Sequence, residues 1–284
     1  MRLGLGQVDV KDQPAARGEL ARPAKRILRD GVHRIIDGAA DAIGPRRLEI
    51  ERLLDELEGC SNRVSLSVDP HAEGQRSLAE HGCTPVAHLD RLGLLTERTV
   101  AAHTVWLSDD DIALLGERRV VCVHNPVSNM KLAVGGVYPY RKLASAGAVC
   151  AIGTDGAASN NCLDLFRDLK IAALLQKFDT NDPGALTAAE TLAMGTTNSA
   201  PAFGLPGPEI EVGRAADFIL IDRERPELSP SHSLTSDLVY SASGDVVDSV
   251  VCDGRVIMRH REIAGEEQIL ADARQAARAL FARR

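Results

Sequence analysis

The run Ala148-Val149-Cys150-Ala151-Ile152, closed by Gly153-Thr154-Asp155, constrains this chain more than any other stretch. A continuous apolar run bounded by glycine is the pattern of a strand buried on both faces, the kind found in parallel sheets. A loop of small residues (Gly156, Ala157, Ala158, Ser159, Asn160, Asn161) follows, and residues 164–177 read as a helix. Asp155 therefore stands at the carboxyl end of a buried strand before a strand-to-helix loop, where α/β barrels place their chemistry. The same position also suits an aspartate that caps a helix or closes a turn.

The rest of the chain alternates in the same way. Residues 63–68, 99–107 and 120–123 read as strands, and residues 72–80, 85–92, 108–115, 141–146 and 188–194 read as helices. Upstream, residues 3–10 read as a strand and residues 24–43 and 48–57 as helices. Ser108 is a good N-cap, and Asp109, Asp110 and Asp111 suit the positive end of the helix dipole. Strand–helix alternation with short loops is the α/β signature. Beyond residue 205 the pattern changes to short strands within 209–221 and 249–258, with turns at Val212-Gly213-Arg214 and Asp253-Gly254. Residues 266–284 read as a helix with Ile269, Leu270, Ala273, Ala276, Ala277 and Leu280 on one face.

Charge and composition narrow the function classes. With 33 basic and 40 acidic residues the net charge is -7, which argues against a nucleic-acid or anionic-membrane surface. Aromatics at 3% leave few platforms for stacking bases. No apolar run approaches the roughly 20 residues that span a bilayer, and MRLGLGQVDVKD does not read as a signal peptide. The six cysteines show no C-x-x-C pair, so a cysteine zinc site is not expected, and a reducing cytoplasm is the simplest compartment.

GTDGAASNN, preceded about two dozen residues earlier by HNPVSNMKL from His124, resembles the amidohydrolase superfamily. Within it, the chain is similar to the methylthioadenosine/S-adenosylhomocysteine deaminases and the triazine and guanine aminohydrolases. The resemblance covers about residues 63–263. It includes the tail motif E-x-G-x-x-A-D-x-x-x-x-D from Glu211 and the stretch LVYSASGDVVDSVV. It implies the C-terminal part of a (β/α)8 TIM barrel over residues 1–205, part of a composite β-sandwich over 206–263, and a C-terminal helix over 264–284. It also implies a zinc- or iron-dependent hydrolase of non-peptide C–N bonds, acting on an amino-substituted nitrogen heterocycle such as a purine nucleoside or a triazine. In that family Asp155 would ligate the metal and take the proton of the attacking water. His103, in VAAHTVWL, would face the metal-bound water or substrate. Asp69 would stand where a glutamate shuttles protons to the ring and the leaving ammonia.

The chain also departs from the family pattern. Catalytic zinc takes three protein ligands, and the family supplies an H-x-H pair that appears nowhere among the eight histidines here (33, 71, 81, 88, 103, 124, 232 and 260). The fifth-strand ligand position falls on Leu66, and the His71-Ala72-Glu73 alternative is badly spaced from His81-Gly82. His124 reads as loop packing or pocket lining, His33 as a structural histidine, and His81, His88, His232 and His260 as exposed. Little or no activity is expected of the isolated chain. The readings left open are a remnant, a subunit completed by a partner chain that supplies the first barrel strands, and a self-associating, non-catalytic protein.

Overall fold

The computed structural model describes residues 65–67, 72–200, 203, 205 and 209–282. Four strands, β1 (Ser65–Ser67), β2 (Val100–Ala102), β3 (Val121–His124) and β4 (Val149–Ile152), form one parallel sheet in chain order. Val100 pairs with Val121, and Val121 with Val149, so neighbouring strands end at the same level. The chain is thus of the α/β class. Asp69 lies outside the described residues, as do the elements expected before residue 63.

Helices fill every crossover. Helices α1 (Ala72–His81) and α2 (Pro85–Arg91) join β1 to β2, and α3 (Asp109–Glu117) joins β2 to β3. Helices α4 (Pro126–Lys131) and α5 (Tyr140–Ala146) join β3 to β4. After β4 come α6 (Ala157–Asn160), α7 (Leu165–Thr180) and α8 (Ala188–Gly195). Local chemistry explains several of these boundaries. Ser108 and Asp111 form a reciprocal capping box at α3, Thr187 and Glu190 do the same at α8, and Asp164 caps α7.

Among the described residues, packing on the two faces of the sheet is unequal. On one face Ala101, Cys122, Cys150 and Ile152 meet Leu115, Leu143, Leu169, Ala172 and Met194 from the helices. On the other, Val121 and Ala151 gather only Val100, Val123, Val149 and Phe203. Helices α3 and α5 touch at Gly116, where a Cβ would sit 2.1 Å from the Ala146 carbonyl oxygen. Only glycine allows that approach.

A second sheet is antiparallel, with order β5 (Phe218–Ile221), β6 (Val247–Cys252), β7 (Arg255–Met258). Between its first two strands, α9 (Leu234–Tyr240) packs on α7 and α8. The last helix, α10 (Glu266–Phe281), has no buried residue.

Four local expectations are corrected. The strand expected over 99–107 ends at Ala102, because His103 (φ 69°) and Thr104 (φ 39°) adopt left-handed backbone that a ladder cannot continue. The segment after His124 is helical from Pro126 rather than loop, since proline's fixed φ and missing N–H suit a first helical turn. Within 209–221 only the last four residues find a ladder partner, which β6 supplies. His81 and His88 are half-buried and stacked on each other, with ring centroids 4.0 Å apart.

Candidate functional site

The carboxyl ends of β2, β3 and β4 converge, and the polar residues of the chain's most regular motif meet there. Each strand leaves the sheet with one functional group at its tip: His103 after β2, His124 closing β3, and Asp155 just past β4. Asp155 is itself left-handed (φ 62°). Backbone strain of this kind costs on the order of 1 kcal/mol and is retained where surrounding contacts hold it. Here those contacts are many.

Asp155 accepts from the Ser128 hydroxyl through Oδ2 at 2.6 Å and from the Gly156 amide through Oδ1 at 2.7 Å. Its backbone carbonyl accepts from the Thr154 hydroxyl at 3.0 Å. Burial pulls its carboxyl upward, but the Ser128 hydroxyl, the Gly156 amide and the nearby His103 outweigh that and hold it below the ordinary carboxylate range. Asp155 is thus ionised at neutral pH. His103 Nε2 lies 4.0 Å from Asp155 Oδ2. On the other side of the ring, Nδ1 is 2.7 Å from Asn129 Oδ1.

Asn125 links the two strand tips. Its amide oxygen accepts from the His103 backbone N–H at 3.2 Å, while its amide nitrogen donates to the Gly153 carbonyl at 3.1 Å. Asn125, Ser128 and Asn129 are all buried. They belong to α4 and its N-cap, so one short helix holds the imidazole, the carboxylate and both strand ends. Gly153 shares the same crowding, since a Cβ there would lie 3.1 Å from both Asn125 Nδ2 and Val123 Cγ1, and those side chains would have to give way. Below the loop, Asn160 donates to the Thr154 carbonyl at 2.7 Å and to Asp168 Oδ2 at 3.0 Å.

His124 does not join the pair as a polar group. It is fully buried and stacks on Tyr138 with centroids 4.7 Å apart, and neither ring nitrogen has a hydrogen-bond partner. Burial first, and then the charge of His103, push it down to about 3. It is a neutral packing group.

The structure therefore brings His103 and Asp155 together, while Asp69 lies outside the described residues. The sequence reading gave no role to Asn125, Ser128 and Asn129 individually. Their signal was present as a polar cluster directly following a buried strand, in a motif already singled out.

A zinc or iron centre needs more donors than this. Among the described residues no three His, Cys, Asp or Glu side chains converge to hold a metal ion. His103 and Asp155 supply two, against the three protein ligands usual for catalytic zinc. Both oxygens of Asp155 already accept hydrogen bonds. The described donor set does not fit a complete metal shell.

Comparison with known proteins agrees with this architecture. A model of the amidohydrolase family matches residues 17–257. A 5'-deoxyadenosine deaminase from Methanoregula boonei is 52% identical over 206 residues, covering 72% of this chain and 47% of that protein. Another from Methanothermobacter thermautotrophicus is 41% identical over 282 residues, covering 96% of this chain and 66% of that protein. Among solved structures, an adenosine deaminase from Xanthomonas campestris with bound zinc is 37% identical, with a TM-score of 0.77 over 83% of this chain and 55% of that one. A zinc-complexed atrazine chlorohydrolase from Arthrobacter aurescens is 27% identical, with a TM-score of 0.72 over 80% of this chain and 51% of that one. The chain spans about half the length of the Methanoregula relative and of both solved structures. With a family model matched along most of its length and its glycine–aspartate and asparagine–proline motifs folded into one site, the chain belongs to the amidohydrolase family.

Proposed function

We propose that this chain carries the carboxylate–imidazole part of a hydrolytic deaminase acting on an adenosine-like nucleoside. The observation that carries the reading is the placement of His103 and Asp155 side by side at the carboxyl ends of a parallel sheet, in a chain related to named 5'-deoxyadenosine deaminases. In the reaction a water oxygen bonds to the amino-bearing ring carbon, the carbon–nitrogen bond breaks, and ammonia leaves. Ionised Asp155 accepts one proton from the attacking water while Asp69 gives a proton to the ring nitrogen, and His103 holds that water against the ring. As the new C–O bond becomes a carbonyl, Asp69 recovers the second water proton, and the proton on Asp155 passes to the amine, which leaves as ammonia. In this reading residues 1–205 are the later part of a (β/α)8 barrel, 206–263 a part of a β-sandwich and 264–284 a terminal helix.

Zinc or iron would require donors from outside the described residues. In this reading a companion chain brings the first barrel strands and the remaining donors. A non-catalytic assembly role, including association with a second copy, is the second reading, favoured by the two-donor site. The free cysteines Cys83, Cys122, Cys150, Cys162 and Cys252 suit a reducing cytoplasm.

The test is ammonia release from 5'-deoxyadenosine, methylthioadenosine, adenosine, guanine and a triazine. It is run with the chain alone and with the chain co-folded with the part of the Methanothermobacter relative it does not match, in the presence of zinc. The chain alone should show little turnover, and the assembly should deaminate a purine nucleoside. Asp155→Asn in the assembly should lower kcat at least about 100-fold, the scale of a lost proton acceptor. An assembly that binds zinc and leaves every substrate intact would overturn the deaminase reading.

A further inference from the structure

The His103 ring is read by its two neighbours. The Asn129 amide is turned with Oδ1 2.7 Å from Nδ1 and with Nδ2 buried and unpartnered; in that orientation the oxygen accepts, which places the ring proton on Nδ1. A neutral imidazole carries one ring proton, so Nε2 is left with its lone pair. Nε2 faces Asp155 Oδ2, which is itself an acceptor and already receives the Ser128 hydroxyl. Two acceptors cannot bond to each other, and the 4.0 Å between them is the separation expected of such a pair rather than of a direct contact. A single water donating to both at about 2.8 Å would subtend about 90° across that 4.0 Å gap, close to its own bond angle.

We propose that Asn129 is a positioning residue that holds His103 in the Nδ1–H tautomer and so makes His103 and Asp155 a two-acceptor cradle for one proton-donating water. Asn129 is buried, so no bulk solvent competes for the ring nitrogen it faces. Its helix is fixed at the other end by the bonds of Asn125 to both strand tips. Ser128, one residue earlier, orients the second acceptor. The tautomer is thus set by the same short helix that aims the carboxylate. The inference rests on the proposed function only for the use made of the water, and the tautomer is a property of the folded chain.

Nitrogen-15 NMR of the histidine-labelled chain above the imidazole titration range reads the tautomer directly, with His103→Gln assigning the signal. The wild-type chain should show a protonated Nδ1 and an unprotonated Nε2. Asn129→Asp keeps an acceptor oxygen in place and should retain the Nδ1 proton. Asn129→Leu removes the acceptor and should lose the preference, with the Nε2–H form growing at its expense. A wild-type His103 protonated at Nε2, or an Asn129→Leu spectrum unchanged from wild type, overturns the inference. If the leucine variant does not fold, the wild-type and aspartate spectra decide it. Absence of turnover in the assembly would count against the deaminase reading and leave the tautomer result standing.

Discussion

His124 makes the stability of this chain fall with acidification below the ordinary imidazole range. The imidazole is fully buried, unpartnered and pushed down to about 3, against an ordinary value of 6.5 in the unfolded chain. Below the ordinary value the unfolded chain binds a proton that the folded chain refuses, so stability falls as pH falls from 6.5 towards 3. Each unit in that window costs about 1.4 kcal/mol, so acidifying from pH 7.5 to pH 5 removes about 2 kcal/mol through this residue alone. Asp155, Glu190 and Asp182 are held below their ordinary values and stay ionised across that range. His88, lowered by burial and by His81 and Arg91, and Asp168, raised by burial, are common to wild type and variant and cancel in the difference. His124→Leu keeps an apolar body against Tyr138 and removes the titrating ring. Urea unfolding followed by circular dichroism at several pH values should place the variant within about 1 kcal/mol of wild type at pH 7.5, because two unpaired ring nitrogens are lost along with the packing. Between pH 7.5 and pH 5 the variant should lose about 2 kcal/mol less stability than wild type. Parallel loss of stability in the two proteins would refute the reasoning, since it would mean that the folded chain accepts the proton on His124.

Two further perturbations follow from the geometry. Gly116→Ala drives a methyl to 2.1 Å from the Ala146 carbonyl oxygen, so α3 and α5 must separate. The cost should be at least about 1–3 kcal/mol, read as a lowered urea midpoint with an unchanged m-value, and an alanine variant as stable as wild type would show that the two helices are not held this closely. Ser128→Ala removes the hydroxyl that holds Asp155 down, so the carboxyl should titrate at higher pH in carbon-13 NMR. Because a lowered folded-state carboxyl contributes stability above its unfolded value and loses it on acidification, the variant should be weaker by about 1.5 kcal/mol at pH 7, with the gap closing towards pH 3. A constant gap across pH would remove the hydroxyl–carboxylate bond from the account.

The sequence made the layers of the fold legible because they rest on local chemistry. The apolar run before Gly153 is β4, Ser108 caps α3, and Asp164 caps α7. These signals lie within a few residues of the structure they determine. Of the candidate site the sequence marked two positions that the structure brings within 4.0 Å of each other, His103 and Asp155. What holds them depends on partners 26 to 28 residues away: Asn129 on His103, Ser128 on Asp155, and Asn125 on Gly153. Such pairings are set by how three strand ends come level, which no local periodicity encodes. The left-handed turn at His103 was hidden for a related reason. VAAHTVWL alternates well enough to read as one strand, and only the bond from the His103 N–H to Asn125 shows where the ladder stops. His124 shows the opposite case. Read from the sequence as packing or pocket lining, it is buried and stacked on Tyr138.

Because α4 and its cap grip the ring, the carboxylate and both strand tips at once, these groups share one mechanical support. A displacement of that six-residue helix shifts carboxylate and imidazole together, preserving their spacing while changing their height above the sheet. A change in what the site has to accommodate can therefore act through the helix without retuning the pair, and a variant that alters the spacing has to break one of three buried side-chain grips first.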